Sequence, residues 1–228
     1  DKIALIPNWV DVNFIRPLPK ENNAFRQTYQ LEGKFVVLYS GNIALTQGLE
    51  TAIDAAVRLR HIKDIVFTIV GEEKALNRLH QYCEDRGADN VRLVPFQPRE
   101  KLPEMLAAAD VGLIVQKKNV IAFNMPSKTQ VLLASGRPIV ASVPPNGTAA
   151  RAIKQSGGGL VVEPENPDAL AFAVKDLYAD REKAEKFGQQ GRRYAVEQYS
   201  FEQALDRYEA LFAEVSTAPA TIRNPLPN

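Results

Sequence analysis

The chain has 228 residues, of which 45% are hydrophobic and 24% are charged. These ordinary globular proportions exclude a mostly disordered, collagen-like or coiled-coil chain, and the length favours one domain with appendages. The formal net charge is +1, from 28 basic and 27 acidic residues. We therefore expect no nucleic-acid partner, because this balance creates no field that would gather phosphate backbones.

The sequence also bears on the compartment. It contains no apolar run as long as a membrane span, which takes about 18 residues, and it opens with no signal-peptide pattern. The single cysteine, Cys83, excludes an internal disulfide and is typical of a reducing compartment. We expect a cytoplasmic protein, either free or peripheral at the inner face of the plasma membrane.

Short apolar runs alternate with amphipathic stretches along most of the chain. The predicted strands cover residues 35–39, 65–70, 91–94, 111–115, 138–142 and 159–162. The predicted helices cover residues 49–60, 74–86, 101–108, 128–135, 148–155 and 167–178. Six strand-then-helix units predict an α/β fold with an open, doubly wound parallel sheet of the Rossmann-like kind.

Beyond this alternation the pattern becomes purely helical. Helices are predicted over residues 182–198 and 201–215, with Ser200 as the N-cap of the second. Residues 216–228 contain three prolines and few large apolar side chains, which predicts an extended or disordered tail.

Ligands of open α/β sheets bind beyond the carboxyl ends of the strands, so the loops there are the candidate binding sites. Residues 40–48 (SGNIALTQG) follow the first strand. Gly41 would let backbone approach a ligand and Gly48 would open the next helix, which suits a phosphate cradle; a plain tight turn is the alternative. The spacing matches neither G-x-G-x-x-G nor G-x-x-x-x-G-K-[ST], which disfavours dehydrogenases and P-loop proteins.

Two further loops are candidates. Gly71 directly follows a predicted buried strand, where it either leaves room for a ligand or makes a simple turn. Pro126 and Ser127 precede a predicted helix, with Ser127 as its N-cap and Lys128 in its first turn. A cation there opposes the helix dipole, whereas an anionic ligand would favour it. Lys128 is therefore the strongest candidate binding residue, with a solvated surface lysine as the alternative.

Several segments, in this order, resemble the C-terminal domain of family 4 retaining glycosyltransferases, which have two Rossmann-like domains (the GT-B architecture). They are residues 6–14 (IPNWVDVNF), 39–43 (YSGNI) with 47–49 (QGL), 69–72 (IVGE), 91–96 (VRLVPF), 109–111 (ADV) and 134–141 (ASGRPIVA). The resemblance implies an interdomain linker over residues 1–17 and a nucleotide-sugar-binding domain over residues 18–215. It also implies that the acceptor-binding N-terminal domain of the same protein is missing from this chain.

The resemblance implies a hexosyltransferase that moves a sugar from a UDP-sugar to a glycan or lipid-linked acceptor with retention. Lys128 and Asn124 are the expected catalytic residues, the first at the diphosphate and the second at the sugar hydroxyls. The expected nucleotide-binding residues are Gly41, Asn42, Gln47, Gly71, Val94, Phe96, Ser127, Lys128 and Thr129. Because no Asp-x-Asp motif occurs, we expect no metal and no cofactor, with the UDP-sugar entering as substrate.

Two departures from the family pattern qualify this assignment. Many relatives place Arg and Lys in the glycine loop, where this chain has Asn42 and Gln47. The family often carries two glutamates at the positions of Phe123 and Val131. The Pro-Ser-Lys segment and the loop that contains Asn42 and Gln47 resemble a branch of the family that includes amino-sugar transferases of surface-polysaccharide assembly. The loss of the two glutamates leaves open a domain that binds or senses sugar nucleotides without turnover. A GT-B-like epimerase is a third alternative, which the linker over residues 8–14 and the Pro-Ser-Lys segment disfavour.

Overall fold

The computed structural model describes residues 3–44, 46–120 and 126–217. Within these ranges the chain forms one six-stranded sheet in which every pairing is parallel, in the order β3-β2-β1-β4-β5-β6. The strands are β1 (Phe35–Ser40), β2 (Ile65–Gly71), β3 (Val91–Pro95), β4 (Val111–Val115), β5 (Ile139–Ser142) and β6 (Gly159–Val162). The predicted doubly wound sheet is confirmed.

Helices cover both faces of the sheet. They are α1 (Ala24–Thr28), α2 (Leu49–Leu59), α3 (Glu73–Arg86), α4 (Leu102–Ala107), α5 (Lys128–Ala134), α6 (Thr148–Ser156), α7 (Pro167–Ala179), α8 (Arg181–Tyr199) and α9 (Phe201–Thr217). The predicted elements all form, with ends that differ by at most two residues. The five-residue helix α1 was not predicted, because it is too short to show a helical period.

The strands are apolar at nearly every position because both faces of the sheet are covered. Val36 and Leu38 pack into one core cluster, whereas Val37 and Tyr39 pack into a second cluster. Successive side chains of a strand point to opposite faces, so one continuous apolar run supplies two cores. This explains why the sequence showed short apolar runs rather than an alternation of apolar and polar residues.

The C-terminal helices follow the prediction. Ser200 separates α8 from α9, and its Oγ accepts a hydrogen bond from the Gln203 N–H at 3.3 Å, so the predicted N-cap is confirmed. Helix α9 continues to Thr217, two residues past the predicted end, and the rest of the predicted tail lies outside the described residues. Among the described helices, none has the length and apolar character needed to cross a lipid bilayer.

Part of the predicted linker packs on the domain. Val10, Val12 and Ile15 are buried, and the Val10 N–H donates to the Tyr199 carbonyl at 2.8 Å. The Arg192 guanidinium donates to the carbonyl oxygens of Val12 and Ile15. These contacts fasten the linker to α8, while the boundary at residue 17 stays a prediction.

A buried carboxylate holds the amino-terminal side of the sheet together. Asp110, 8% exposed, immediately precedes β4, and its oxygens accept from Arg26 at 2.6 Å and from the Val36 N–H at 2.9 Å. Lys20 donates to the other oxygen at 2.6 Å. Asp110 therefore ties the segment before β1 to the starts of both β1 and β4.

Substitution of Asp110 by Ala is expected to lower the free energy of unfolding by about 3–5 kcal/mol, because Arg26 would stay buried without its carboxylate. Asp64→Ala is the matched control: its side chain is 61% exposed and lies 3.9 Å from Lys34. That variant is expected to lose about 1 kcal/mol or less. Urea unfolding of both variants measures the difference, and equal losses would contradict this role for Asp110.

Candidate functional site

The order of the strands determines where a ligand can bind. The chain leaves β1 towards β2 on one side, whereas β4 leads to β5 on the other side, and β1 and β4 are neighbours. Loops that leave adjacent strands in opposite directions open a crevice between them, at the carboxyl edge of the sheet. The candidate site lies at this crevice.

The crevice contains a cavity of about 340 Å³, which we call the switch-point cleft. Its lining residues are Leu38, Ser40, Gly41, Asn42, Gln47, Leu102, Leu106, Pro126, Ser127, Lys128, Val131 and Leu132. Five of the predicted site residues therefore meet in one cavity, although they come from two separate loops. The tertiary structure brings the glycine loop and the Pro-Ser-Lys segment together.

Lys128 is the most unusual group in the switch-point cleft. Its Nζ is buried and has no hydrogen-bond partner among the described residues. The nitrogen lies 3.7 Å from the centroid of the Tyr39 ring, whose π face attracts a cation. Burial lowers the pKa of Lys128 from 10.5 to about 7. The cleft thus contains a desolvated cation without an anionic partner, and the alternative of a solvated surface lysine is wrong.

Tyr39 is a cleft component that the sequence interpretation missed. It is fully buried at the end of β1, and its hydroxyl donates to the Asn42 carbonyl at 2.6 Å. Because its ring also lies under Lys128, this one side chain contacts both loops of the cleft. Burial raises the pKa of the Tyr39 phenol, so the hydroxyl remains a donor. The sequence feature that could have indicated this role is an aromatic residue directly before the Ser-Gly-Asn turn.

Gly41 supports the cleft by its lack of a side chain. Its φ of +138° is strained for other residues, and a Cβ there would lie 3.1 Å from Lys128 Nζ. The Gly41 N–H donates to the Val70 carbonyl at 3.2 Å. Gly41 therefore makes room for Lys128, while its own N–H is already paired with Val70; its contact with a nucleotide stays a prediction.

Gly71 serves packing in this structure. A Cβ on Gly71 would lie 2.2 Å from Ile43 Cδ1, so the Ile43 side chain fills the space that we had expected to be open to a ligand. Gly71 is also outside the residues that line the cleft. A contact between Gly71 and the nucleotide stays a prediction.

The predicted nucleobase loop lies away from the cleft lining. Val94 is 1% exposed and packs in the core, so its side chain is inaccessible to a base. Phe96 is 51% exposed on the loop after β3, at the same edge of the sheet. Contact of this loop with a base stays a prediction, in which Phe96 and backbone groups take part.

The start of α5 differs from its predicted chemistry. Ser127 is at the N-cap position but has helical φ and ψ of −56° and −27°, and its side chain makes no capping hydrogen bond. The Thr129 N–H donates to the Pro126 carbonyl at 2.9 Å, and the Thr129 side chain is buried. The first turn of α5 therefore has fewer free N–H groups for an anion than expected. Asn124 lies outside the described residues.

The described residues form no cluster of side chains that could hold a metal ion. Across residues 3–44, 46–120 and 126–217, no group of three or more His, Cys, Asp and Glu side chains converges. The expectation of metal-free binding is not tested by this and stays a prediction.

Lys128→Met is expected to stabilise the empty domain in a pH-dependent way. Below about pH 7 the lysine is charged in both the folded and unfolded states, so the folded state bears the full cost of burying the cation. Between about pH 7 and 10.5 the unfolded state binds more protons, so the stability of the unsubstituted chain rises with pH. The advantage of methionine should therefore be largest below pH 7, on the order of a few kcal/mol, and shrink towards pH 10.5.

Urea unfolding at a series of pH values measures this advantage. Lys175→Met, at an exposed position of α7, is the control and should change stability little at any pH. A constant difference between the Lys128 variant and the unsubstituted chain would mean that Lys128 keeps an ordinary pKa.

The chain has relatives of known family. Its residues 21–194 match the family Glycosyl transferases group 1. WcaI of Escherichia coli (strain K12), named for glycosyl transfer in colanic acid biosynthesis, is 32% identical over 178 residues, which cover 77% of this chain and 44% of WcaI. An alpha-D-kanosaminyltransferase of Streptomyces kanamyceticus is 28% identical over 192 residues, which cover 83% of this chain and 48% of that enzyme. The chain thus spans about half the length of these curated relatives.

Solved structures share the fold. HepE of Anabaena, in complex with UDP and glucose, matches with a TM-score of 0.77 and 19% identity, over 94% of this chain and 57% of HepE. The C-terminal domain of the group 1 glycosyl transferase LpcC of Francisella tularensis matches with a TM-score of 0.66 and 20% identity, over 84% of this chain and 99% of that domain. The parallel sheet is the Rossmann-like fold of GT-B glycosyltransferases, and the match over residues 21–194 shows that the chain belongs to the group 1 glycosyl transferases.

Proposed function

We propose that this domain binds the UDP-sugar donor of a retaining hexosyltransferase in the switch-point cleft. The observation that carries the proposal is the buried, unpartnered Nζ of Lys128 beside the glycine loop, at the carboxyl edge of the sheet. Membership of the group 1 glycosyl transferases supports it, because such an enzyme must hold an activated sugar. In this assignment the diphosphate of the donor lies against Lys128.

The chemistry follows from the charge that develops during transfer. Breaking the bond between the anomeric carbon and the diphosphate leaves an additional negative charge on the leaving group. A desolvated cation already in place stabilises that charge more than a hydrated one, because little reorganisation is needed. A bound diphosphate would also raise the pKa of Lys128 towards its ordinary value, since a nearby anion favours the ammonium form. Donor binding would then be coupled to proton uptake near neutral pH.

Tyr39 would hold this arrangement before the donor arrives. Its ring supports the ammonium group at 3.7 Å, while its hydroxyl fixes the Asn42 carbonyl at 2.6 Å. Asn42 and Gln47 then offer amide groups to the nucleotide, at places where many relatives carry charged residues. The positive charge of the site is therefore concentrated on Lys128.

The identity of the nucleotide can be tested directly. HepE was crystallised with UDP, whereas a phosphatidylinositol monomannoside mannosyltransferase of Mycobacterium tuberculosis, 27% identical over 205 residues, is named GDP-mannose-dependent. Calorimetric titration of this chain with UDP, GDP and ADP is expected to show the tightest binding for UDP. EDTA is expected to leave the affinity unchanged. Tighter binding of GDP than of UDP would overturn the proposed identity of the nucleotide. Loss of binding in EDTA and its restoration by magnesium would overturn the proposed independence of metal.

Transfer would require more than this chain. The chain spans about half the length of its curated relatives, and we propose that an N-terminal domain of the whole protein holds a glycan or lipid-linked acceptor. The isolated chain is then expected to bind the donor without transferring sugar. NMR of the product formed by the whole protein would show whether the anomeric configuration is retained.

A second candidate function is binding of a sugar nucleotide without turnover. Val131, which lines the cleft, occupies a position where the family often has a glutamate, and this favours the alternative. Acceptor-dependent release of UDP by the whole protein separates the two functions. Tight UDP binding without such release would favour the non-catalytic function.

Lys128→Met is expected to weaken binding of UDP by about 10- to 150-fold, which corresponds to the loss of a charge-assisted contact with phosphate. Binding of uridine should change little, because uridine has no phosphate. Lys175→Met, on the exposed face of α7, is the matched control and should leave both affinities unchanged. Calorimetric titration with UDP and with uridine measures the loss of affinity for each ligand. Equal losses for UDP and uridine would show that Lys128 acts on the base or on the fold instead.

A further inference from the structure

A second cavity lies at the opposite, amino-terminal edge of the sheet. It has a volume of about 1100 Å³ and contacts Phe35 at the start of β1, Asp110 before β4 and Pro138 before β5. We call it the basal cavity. Because the switch-point cleft lies at the carboxyl ends of the same strands, a ligand in the basal cavity would not compete with the nucleotide sugar for the same groups.

The lining of the basal cavity carries an excess of positive charge. Its basic residues are Lys20, Arg26, Lys34, Arg137, Arg181, Arg192 and Arg193. Its acidic residues are Glu21, Glu32, Asp110 and Glu185. The seven basic residues outnumber the four acidic ones by three. Since the whole chain has a net charge of only +1, the positive charge is concentrated at this cavity.

The contacts inside the cavity leave this charge incompletely paired. Asp110 is the one buried carboxylate of the lining, and three cations share it: Lys20 at 2.6 Å, Arg26 at 2.6 Å and Arg181 at 3.6 Å. The three glutamates of the lining are exposed to solvent, where screening weakens their effect. One carboxylate therefore serves several cations in a concave site.

Arg137 is the least satisfied of these cations. One of its amino groups, Nη2, donates to the Leu18 carbonyl at 2.6 Å, while its Nε is buried and has no hydrogen-bond partner among the described residues. Burial lowers the pKa of Arg137, which reflects the cost of holding its charge there. Desolvated guanidinium groups without a full set of acceptors favour an added anion.

Arg181 is placed to join Arg137 at the cavity. Its guanidinium carbon lies 4.2 Å from the centroid of the Phe35 ring and 5.0 Å from that of Tyr178. Contact with two aromatic rings favours this position of the guanidinium group, and the side chain is 54% exposed, so its N–H donors remain able to bind a ligand. Arg193 adds an exposed guanidinium at the rim.

We propose that the basal cavity binds a ligand through a phosphate monoester or diphosphate group, held by Arg137 and Arg181 with Arg193 at the rim. Guanidinium groups match phosphate because their planar fork donates two parallel hydrogen bonds to it. The cavity is large enough for a group beyond the phosphate itself. Such a phosphate group occurs both in free phosphorylated compounds and in lipid headgroups.

Calorimetric titration with inorganic pyrophosphate tests the site. The titration is run on the unsubstituted chain and on Lys128→Met, which removes the main cation of the switch-point cleft. Binding is expected to persist in Lys128→Met and to weaken at least about tenfold when Arg137→Gln is added. Arg181→Gln, at a 54% exposed side chain, is expected to weaken it about two- to fivefold. Arg78→Gln, at an exposed position of α3, is the matched control and should have no effect.

Circular dichroism and urea unfolding establish that each variant is folded. If Arg137→Gln does not fold, Arg181→Gln and Arg193→Gln carry the test. Unchanged affinity in the folded arginine variants would overturn the proposal, as would the absence of arginine-dependent binding to both pyrophosphate and vesicles. Phosphatidylcholine vesicles with and without phosphatidic acid, whose headgroup is a phosphate monoester, distinguish the two sources of phosphate. Arginine-dependent binding to the anionic vesicles identifies a headgroup, and arginine-dependent binding to pyrophosphate alone identifies a free compound.

Discussion

The parallel arrangement of all six strands is the constraint on which the rest of the structure depends. A parallel pair cannot be joined by a tight turn, so each strand is followed by a crossover that covers one face of the sheet. All carboxyl ends then meet at one edge, and the reversal of the winding direction between β1 and β4 opens that edge. The switch-point cleft follows from the connectivity before any particular side chain is considered.

The cleft contains a group that destabilises the empty domain. Lys128 is desolvated, and its nearest described support is the π face of Tyr39 rather than a carboxylate. A carboxylate in that place would stabilise the lysine but would also compete with an anionic ligand. The neutral ring contacts the ammonium group of Lys128 without neutralising its charge. The buried charge lowers the stability of the empty domain, and binding of an anion can offset this loss. Stability and ligand attraction are therefore opposed at this one position.

The buried charges at the two edges of the sheet have different partners. At the amino-terminal edge, Asp110 accepts from Arg26, Lys20 and a backbone N–H, and this network joins β1 to β4. At the carboxyl edge, the Lys128 ammonium group has no such network, so it remains unpaired until a ligand binds. The same two strands, β1 and β4, therefore have a paired network at one end and an unpartnered cation at the other.

The sequence by itself determined the α/β class, the positions of the six strands and of every α-helix except the short α1, and the segments that resemble the glycosyltransferase family, because these depend on local periodicity and short motifs. It also singled out Lys128 from its place in the first turn of a helix. Only the tertiary structure decided that Tyr39 lies under Lys128, that Ile43 fills the space beside Gly71, and that the Thr129 N–H is already occupied. These facts depend on which strands are neighbours and on the distance between a helix and the edge of the sheet. Such contacts join residues that are far apart in the sequence, so a local sequence pattern does not contain them.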